Sequence, residues 1–345
     1  MKKYRPHIIL NKTCSEEITK LQFNSSEIFL EVIPETTKRY WESLDGLSRM
    51  TLMETEPDVK DFINKDLVPR NELIIYAKDE NVCQDYLSLI HGGMILAYPD
   101  PNITLRSFYL NEFRKIEPYS PSVEILESYF LECESVGFGC KVLQACLNDK
   151  EVAYALHKYK TSLELSSFTP RSADPLYGQV FENYDIKKES HTRAAFAIIA
   201  AFSVIEELGV EIRSNHKKPR FLDHKKGIWN PIILEDIQAR LVNIGVDKEM
   251  TFDWIYRGEK TEVEIDILPK FGIDSHWQLY HEQVRDKTLT FPEAIHIASY
   301  LRNKIAAHKF RELTKFISPY DVFNVQCLAR KLILEKMGLW NAYNN

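Results

Sequence analysis

The stretch RAAFAIIAAFSVIEELGVEI, Arg193–Ile212, constrains the fold more than any other part of the chain. From Ala194 to Ile205 every side chain except Ser203 is apolar. Such a run is shorter than the roughly 20 residues a membrane-crossing helix needs. A helix apolar on all sides must instead be buried, so this one is read as a core helix. No stretch reaches 18 apolar residues, and the start, MKKYRPHIILNKTCSEE, has no signal-peptide core. No membrane association is expected, and the expected location is cytoplasmic.

Neighbouring segments supply further helices. Phe291–Phe310 opens with Pro292 and places Ile297, Tyr300, Leu301, Ile305 and Ala306 near helical spacing. A last helix is predicted over Pro319–Gly338, and Ile232–Ile244 reads as amphipathic. Thr251–Leu268 alternates like a β-hairpin, with Arg257, Gly258, Glu259 and Lys260 at its turn, and is expected as an insertion. The first part of the chain is mixed. His7–Leu10, Ile28–Ile33 and Leu73–Ala77 are strand-like, Val82–Tyr98 is helix-compatible, and 122–168 reads as mainly helical from a capped start at Ser122. Ser166–Tyr177, SSFTPRSADPLY, reads as a linker. With 345 residues, roughly two domains are expected. The fold class expected is therefore α+β: a mixed α/β region over 1–185, then a mainly α-helical unit over 186–345 with a small β-hairpin insertion.

Charge separates the same two regions. Residues 186–345 hold 24 Lys and Arg against 21 Asp and Glu, whereas residues 1–185 hold 20 against 29. The acidic first region should repel nucleic acid on most faces; the second tolerates it. Two basic clusters stand out there. Arg213, Lys217, Lys218, Arg220, Lys225 and Lys226 crowd one loop-like segment with His216 and His224. Lys304, Lys309, Arg311 and Lys315 form the other. Both are expected to track phosphates, against the plainer reading of solvated loops.

The second cluster surrounds residues 302–308, Arg-Asn-Lys-Ile-Ala-Ala-His. RNA carries its own nucleophile, the 2′-OH, so a protein that cleaves it need only move protons and stabilise phosphate charge. A histidine does the first near neutral pH, and a guanidinium does the second. On an ideal helix Arg302 and His308 lie about 120° apart, which suits the walls of a cleft at a helix end. Antiparallel helices with an Arg-polar-x4-His sequence late in the set resemble the HEPN superfamily, over about residues 187–340. That resemblance implies a metal-independent endoribonuclease with its motif at a homodimer interface. Arg302, Asn303 and His308 match the motif, and Glu206 or Glu207 is the candidate for the acidic residue on an earlier helix. His308 would serve as general base or acid, Arg302 would hold the phosphate, and Asn303 would orient the phosphate or the histidine. The products expected are a 2′,3′-cyclic phosphate and a 5′-OH. By analogy the role is that of a toxin or antiviral defence effector. The alternative is an inert HEPN-like scaffold that binds RNA or protein, in which Glu206 and Glu207 are merely solvated.

Other chemistries find less support, and no cofactor is expected. His276 and His281 are five apart, which separates them by about 140° on a helix instead of pairing them on a metal. Cys133, Cys140 and Cys146 lack the rhythm of a zinc site, and the six cysteines are expected as reduced thiols. Gly137-Phe138-Gly139 lacks the third glycine of a dinucleotide fingerprint and reads as a helix interruption. There is no Gly-x-Ser-x-Gly, and no Glu-x-Lys of a magnesium nuclease. Trp229, Trp254 and Trp277 are expected in core packing ahead of base stacking.

Overall fold

The computed structural model describes residues 1–6, 8–10, 12–23, 26–35, 50, 70–98, 116–119, 135–167, 188–256, 261–272, 285–307, 309–310 and 317–340. The chain is of the α+β class and divides into two compact units. One gathers Met1–Ala97 and Phe108–Asn148, the other Tyr98–Ser107 and Asp149–Asn345. The sequence reading puts the boundary near residue 185. The division at Asn148/Asp149 arises because the helix that follows Asp149 packs with the apolar core helix of the second unit.

The first unit is an antiparallel sheet with helices. Its elements are β1 (Lys2–Arg5), β2 (Ile9–Leu10), α1 (Lys12–Thr19), β3 (Phe29–Glu35), β4 (Arg70–Ala77), α2 (Glu80–Leu96), β5 (Glu117–Pro118) and α3 (Ser135–Asn148). β4 is central: β3 pairs along one edge, β1 and β2 along the other, and β5 extends the sheet beyond β1. Leu73, Ile74, Ile75 and Ala77 are all fully buried, so β4 is covered on both faces, as its continuous apolar run requires. Asp79 caps α2 by accepting from the Val82 N–H at 3.0 Å. Arg5 and Glu72 form a buried ion pair within this sheet, Nε to Oε1 2.6 Å. Gly137 and Gly139 do not interrupt a helix. They lie inside α3, and Gly139 lets α3 approach α2 at Gly93. The expected capped start at Ser122 lies outside the described residues.

The second unit is mainly helical. α4 (Lys150–Leu165) and α5 (Lys188–Glu207) run antiparallel. Across their seam Arg193 donates to the Leu165 carbonyl at 2.8 Å, Ser162 Oγ to the Ala197 carbonyl at 2.8 Å, and Lys158 to Glu207 at 2.6 Å. Next come β6 (Phe221–Asp223), β7 (Ile228–Trp229), α6 (Pro231–Asn243), β8 (Thr251–Tyr256), β9 (Arg285–Thr290), α7 (Phe291–Ala307) and α8 (Pro319–Lys336). The apolar segment forms α5, which packs against α4, α7 and α8 through Ala194, Ala197, Ile198, Ala201 and Ile205. α5 stops short of the expected Ile212. Gly209 takes φ +69°, and Val210 N–H turns back to the Ile205 carbonyl at 3.1 Å, closing the helix end. Buried amides lock the rest. Gln326 on α8 donates to the Ser162 hydroxyl at 3.0 Å, and Asn324 exchanges two hydrogen bonds with the Ile255 backbone at 2.7 and 2.8 Å. Ser318 and Asp321 form a reciprocal capping box at the start of α8.

One expected element is corrected. β8 does not fold back on the segment that follows it; it pairs antiparallel with β9, Thr251 opposite Thr290 and Tyr256 opposite Arg285. The expected turn, 257–260, lies outside the described residues, and Val263–Phe271 forms a π-helical turn and then a 3-10 turn. The cause is ambiguous periodicity. Thr261–Leu268 alternates, yet Val263, Ile267 and Leu268 also share a helical face, and these three are buried while Ile265 is 43% exposed.

His191, on α5, is fully buried, and burial pushes its imidazole down to about 4. In the unfolded chain it titrates near 6.5, so below that pH the unfolded state takes up a proton the folded state refuses. Stability therefore declines as pH falls from about 6.5 towards 4, by at most about 3 kcal/mol from this group. Thermal unfolding between pH 7 and 5 should show the decline, and His191→Gln should flatten it. An unchanged slope in that variant would exclude His191 as the cause.

Candidate functional site

α7 carries the site, and its sequence divides it into faces. Ala294, Ile295, Ile297, Ala298, Leu301 and Ile305 are buried in the unit's core. His296, Tyr300, Asn303 and Ala307 recur at four, three and four residues, so they form a second stripe along the helix. That stripe forms one wall of a cleft of about 690 Å³; the other wall is the 214–224 segment, with Arg220 and Phe221 at its base. A smaller cavity of about 380 Å³ adjoins it across His224, His296 and Tyr300, and is lined further by Lys225, Asp266 and Lys270.

Arg302 sits about 100° around the helix from Asn303 and so turns away from the cleft stripe towards α5. Its Nη2 donates to Glu206 Oε1 at 3.3 Å, its Nη1 to Asn303 Oδ1 at 3.2 Å, and its Cζ lies 5.9 Å from the Phe202 ring centre. Glu207, one residue on, points elsewhere and pairs with Lys158. Of the two acidic candidates, Glu206 meets the arginine. Arg302 and Glu206 remain 40% and 41% exposed. Asn303 touches both regions, since it also lines the cleft. His308, Arg311 and Lys315 lie outside the described residues, as do His276 and His281.

The basic loop is built from two similar turns. Asn215 Oδ1 accepts from the backbone of Lys217 and Lys218, both at 2.9 Å, and Asp223 Oδ1 accepts from Lys225 and Lys226 at 3.0 and 3.2 Å. These turns leave the four lysines exposed. Arg213 is paired with Glu211 at 2.6 Å. Arg220, expected with them on the surface, turns inward instead. Its Nη1 contacts His296 Nδ1 at 2.6 Å and its Nη2 lies 3.4 Å from Ser299 Oγ. Because a guanidinium only donates, His296 Nδ1 is the acceptor, and the imidazole is neutral with its proton on Nε2. Burial and the nearby Arg220 charge hold His296 well below its usual range, and burial lowers Arg220 to about 10.

Lys304 is also less free than its position suggests. Its Nζ pairs with Glu262 at 3.0 Å and lies 5.1 Å over the Tyr300 ring, and the Tyr300 hydroxyl donates to the same carboxylate. Lys309 is exposed. His296, Ser299, Tyr300, Phe221 and Glu262 escaped the sequence reading as site residues. The signal for the α7 stripe was present, in polar and small residues spaced along one face of an otherwise apolar helix. Trp254 is buried as expected, and Trp229 packs on Phe221 with ring centres 4.6 Å apart.

Among the described residues no group of three or more His, Cys, Asp or Glu is arranged to hold a metal ion, and no helix is long and apolar enough to cross a membrane. No family model, curated protein or solved structure matches the chain.

Proposed function

We propose that the helical unit is a metal-independent endoribonuclease of the HEPN type, acting in the cytoplasm as a homodimer whose two motifs meet. One observation carries the reading. The Arg302 guanidinium is steadied near the end of α7 by Glu206 and Phe202, yet spends only two of its five N–H groups on described residues. A half-exposed arginine so held has N–H groups not engaged by the described residues, which can donate to a phosphate. The 2′-OH of RNA attacks the adjacent phosphorus, the P–O5′ bond breaks, and the 5′ oxygen leaves protonated as a 5′-OH. His308 moves a proton as general base or acid, and the charge that builds on the phosphate oxygens falls to Arg302. DNA, lacking the 2′-OH, is spared. A toxin or defence role follows only by analogy with HEPN-like proteins.

A second reading is an inert scaffold of the same type. It is favoured by the inward turn of Arg220 and the Lys304–Glu262 pair, which take two cations out of the exposed basic clusters on which a tracking RNA backbone would lie. Wild-type and His308→Ala protein incubated with total RNA in EDTA separate the two. The nuclease reading expects cleavage by wild type alone, leaving cyclic phosphate ends. RNA left intact by both proteins would favour the scaffold, and cleavage that survives in His308→Ala would remove His308 from proton transfer.

A further inference from the structure

The cleft beside α7 contains a cation that no carboxylate among the described residues neutralises. A half-buried guanidinium is ordinarily matched by a carboxylate, because a cation partly withdrawn from water is costly when unpaired. Arg220 has none among the described residues; its side-chain partners are His296 and Ser299. His296 offers no negative charge, being neutral with Nδ1 as acceptor. Arg220 is also held in place. The Asn230 backbone N–H donates to the Arg220 carbonyl at 3.0 Å, and Asn230 Nδ2 donates to the Pro219 carbonyl at 3.0 Å. The next residue, Phe221, is buried against His296 and Trp229 at ring distances of 4.8 and 4.6 Å. The backbone on either side of Arg220 is thus pinned, and its side chain is pre-positioned at the cleft.

The surroundings narrow what would fill it. Phe221, Pro219 and Ala307 give the cleft apolar surface beside the guanidinium, and Asn303 adds an amide. The adjoining cavity brings Lys225 and Lys270 against a single carboxylate, Asp266. With the Lys304 charge already matched by Glu262, positive charge remains in excess around the two cavities. A volume of about 690 Å³ lies within the usual range for small-molecule sites, about 300 to 1,000 Å³. One fixed guanidinium, an excess of cationic groups and apolar walls select an anion attached to a flat, apolar body.

We propose that this cleft is a binding site for a small phosphorylated compound carrying an aromatic ring, its phosphate on Arg220 and Asn303 and its ring against Ala307, one helical turn beyond Asn303. The site shares Asn303 with the ribonuclease reading but does not rest on that reading. It requires neither His308 nor the Arg302 guanidinium, which turns away from the cleft stripe.

Calorimetric titration of the full chain with phenyl phosphate, inorganic phosphate and phenol tests this directly. Phenyl phosphate should bind with one-to-one stoichiometry, inorganic phosphate about tenfold or more weakly, and phenol not measurably. Arg220→Lys keeps the charge but loses the planar fork and should weaken phenyl phosphate about 10- to 100-fold. Ala307→Trp, at an exposed position on the last turn of α7, should block the ring without touching Arg220. If Arg220→Lys proves unstable, Ala307→Trp still decides the question. Inorganic phosphate binding as tightly as phenyl phosphate would overturn the aromatic part of the proposal. Unchanged affinity in both variants, or no binding of phenyl phosphate to wild type, would overturn the site.

Discussion

Arg302→Ala is expected to lower RNA cleavage by about 100- to 1,000-fold while moving the melting temperature by no more than about 3 °C. The two effects part company because the arginine's bonds to the protein are weak. The Glu206 contact is long and both partners are about 40% exposed, a class of ion pair worth about 0–1 kcal/mol. Its approach to Phe202, at 5.9 Å, adds a comparably small cation–π contribution, about 0.5–1 kcal/mol at an exposed site. Stabilising charge on a phosphate in the transition state is worth several times more. Arg302→Lys retains the charge without the planar fork, and should recover only a minor part of the rate. Glu206 is a positioning residue in this scheme. Glu206→Gln should lower kcat by about tenfold or more with KM within about a factor of two, because the guanidinium remains but is less well aimed. A double variant no slower than Arg302→Ala alone would place the two on one pathway. If Arg302→Ala retains wild-type cleavage at saturating RNA, the proposed mechanism fails whatever becomes of the Arg220 cleft.

What the sequence made legible follows from how locally each feature is encoded. α5, α6, α7 and α8 were readable because their buried positions repeat at helical spacing and because Pro231, Pro292 and Pro319 mark their starts. β3 and β4 were readable from apolar β-branched runs. The β8–β9 pairing was not, since Arg285–Thr290 contains a single apolar residue, Leu289, and takes its strand character from its partner. Arg220 was misplaced for a similar reason. Nothing in KKPRFLDHKK separates an inward arginine from the exposed lysines around it; the difference arises from Asn230 and His296, which are distant in sequence. The pairing of Arg302 with Glu206 was half legible, as an arginine and two adjacent acids. Only the rotation of α5 against α7 selects Glu206 and sends Glu207 to Lys158.

Gly139→Ala should destabilise the first unit by about 1–3 kcal/mol, although alanine is the better helix former by about 1 kcal/mol. A Cβ at Gly139 would lie 2.5 Å from the Ile90 carbonyl oxygen and 3.0 Å from Met94 Cγ. The first of these is helix backbone and cannot swing aside, so α2 and α3 must separate and lose contacts along their whole crossing. Gly93, facing it, is as tightly placed, with a Cβ 2.8 Å from Gly139 Cα and 2.7 Å from Val142 Cβ. Gly137, two residues away on the same helix, provides the contrast. A Cβ there would meet Glu17 Oε2 at 2.1 Å, but that atom ends a flexible side chain whose ion pair with Lys141 is partly exposed. Glu17 can move at a cost of about 0–1 kcal/mol, which the gain in helix propensity offsets. Gly137→Ala should therefore unfold within about 0.5 kcal/mol of wild type in urea, whereas Gly139→Ala unfolds at distinctly lower urea and Gly139→Val lower still. A Gly139→Ala protein as stable as wild type would mean that α2 and α3 slide apart freely, and the glycine crossing would then have no part in holding the first unit together.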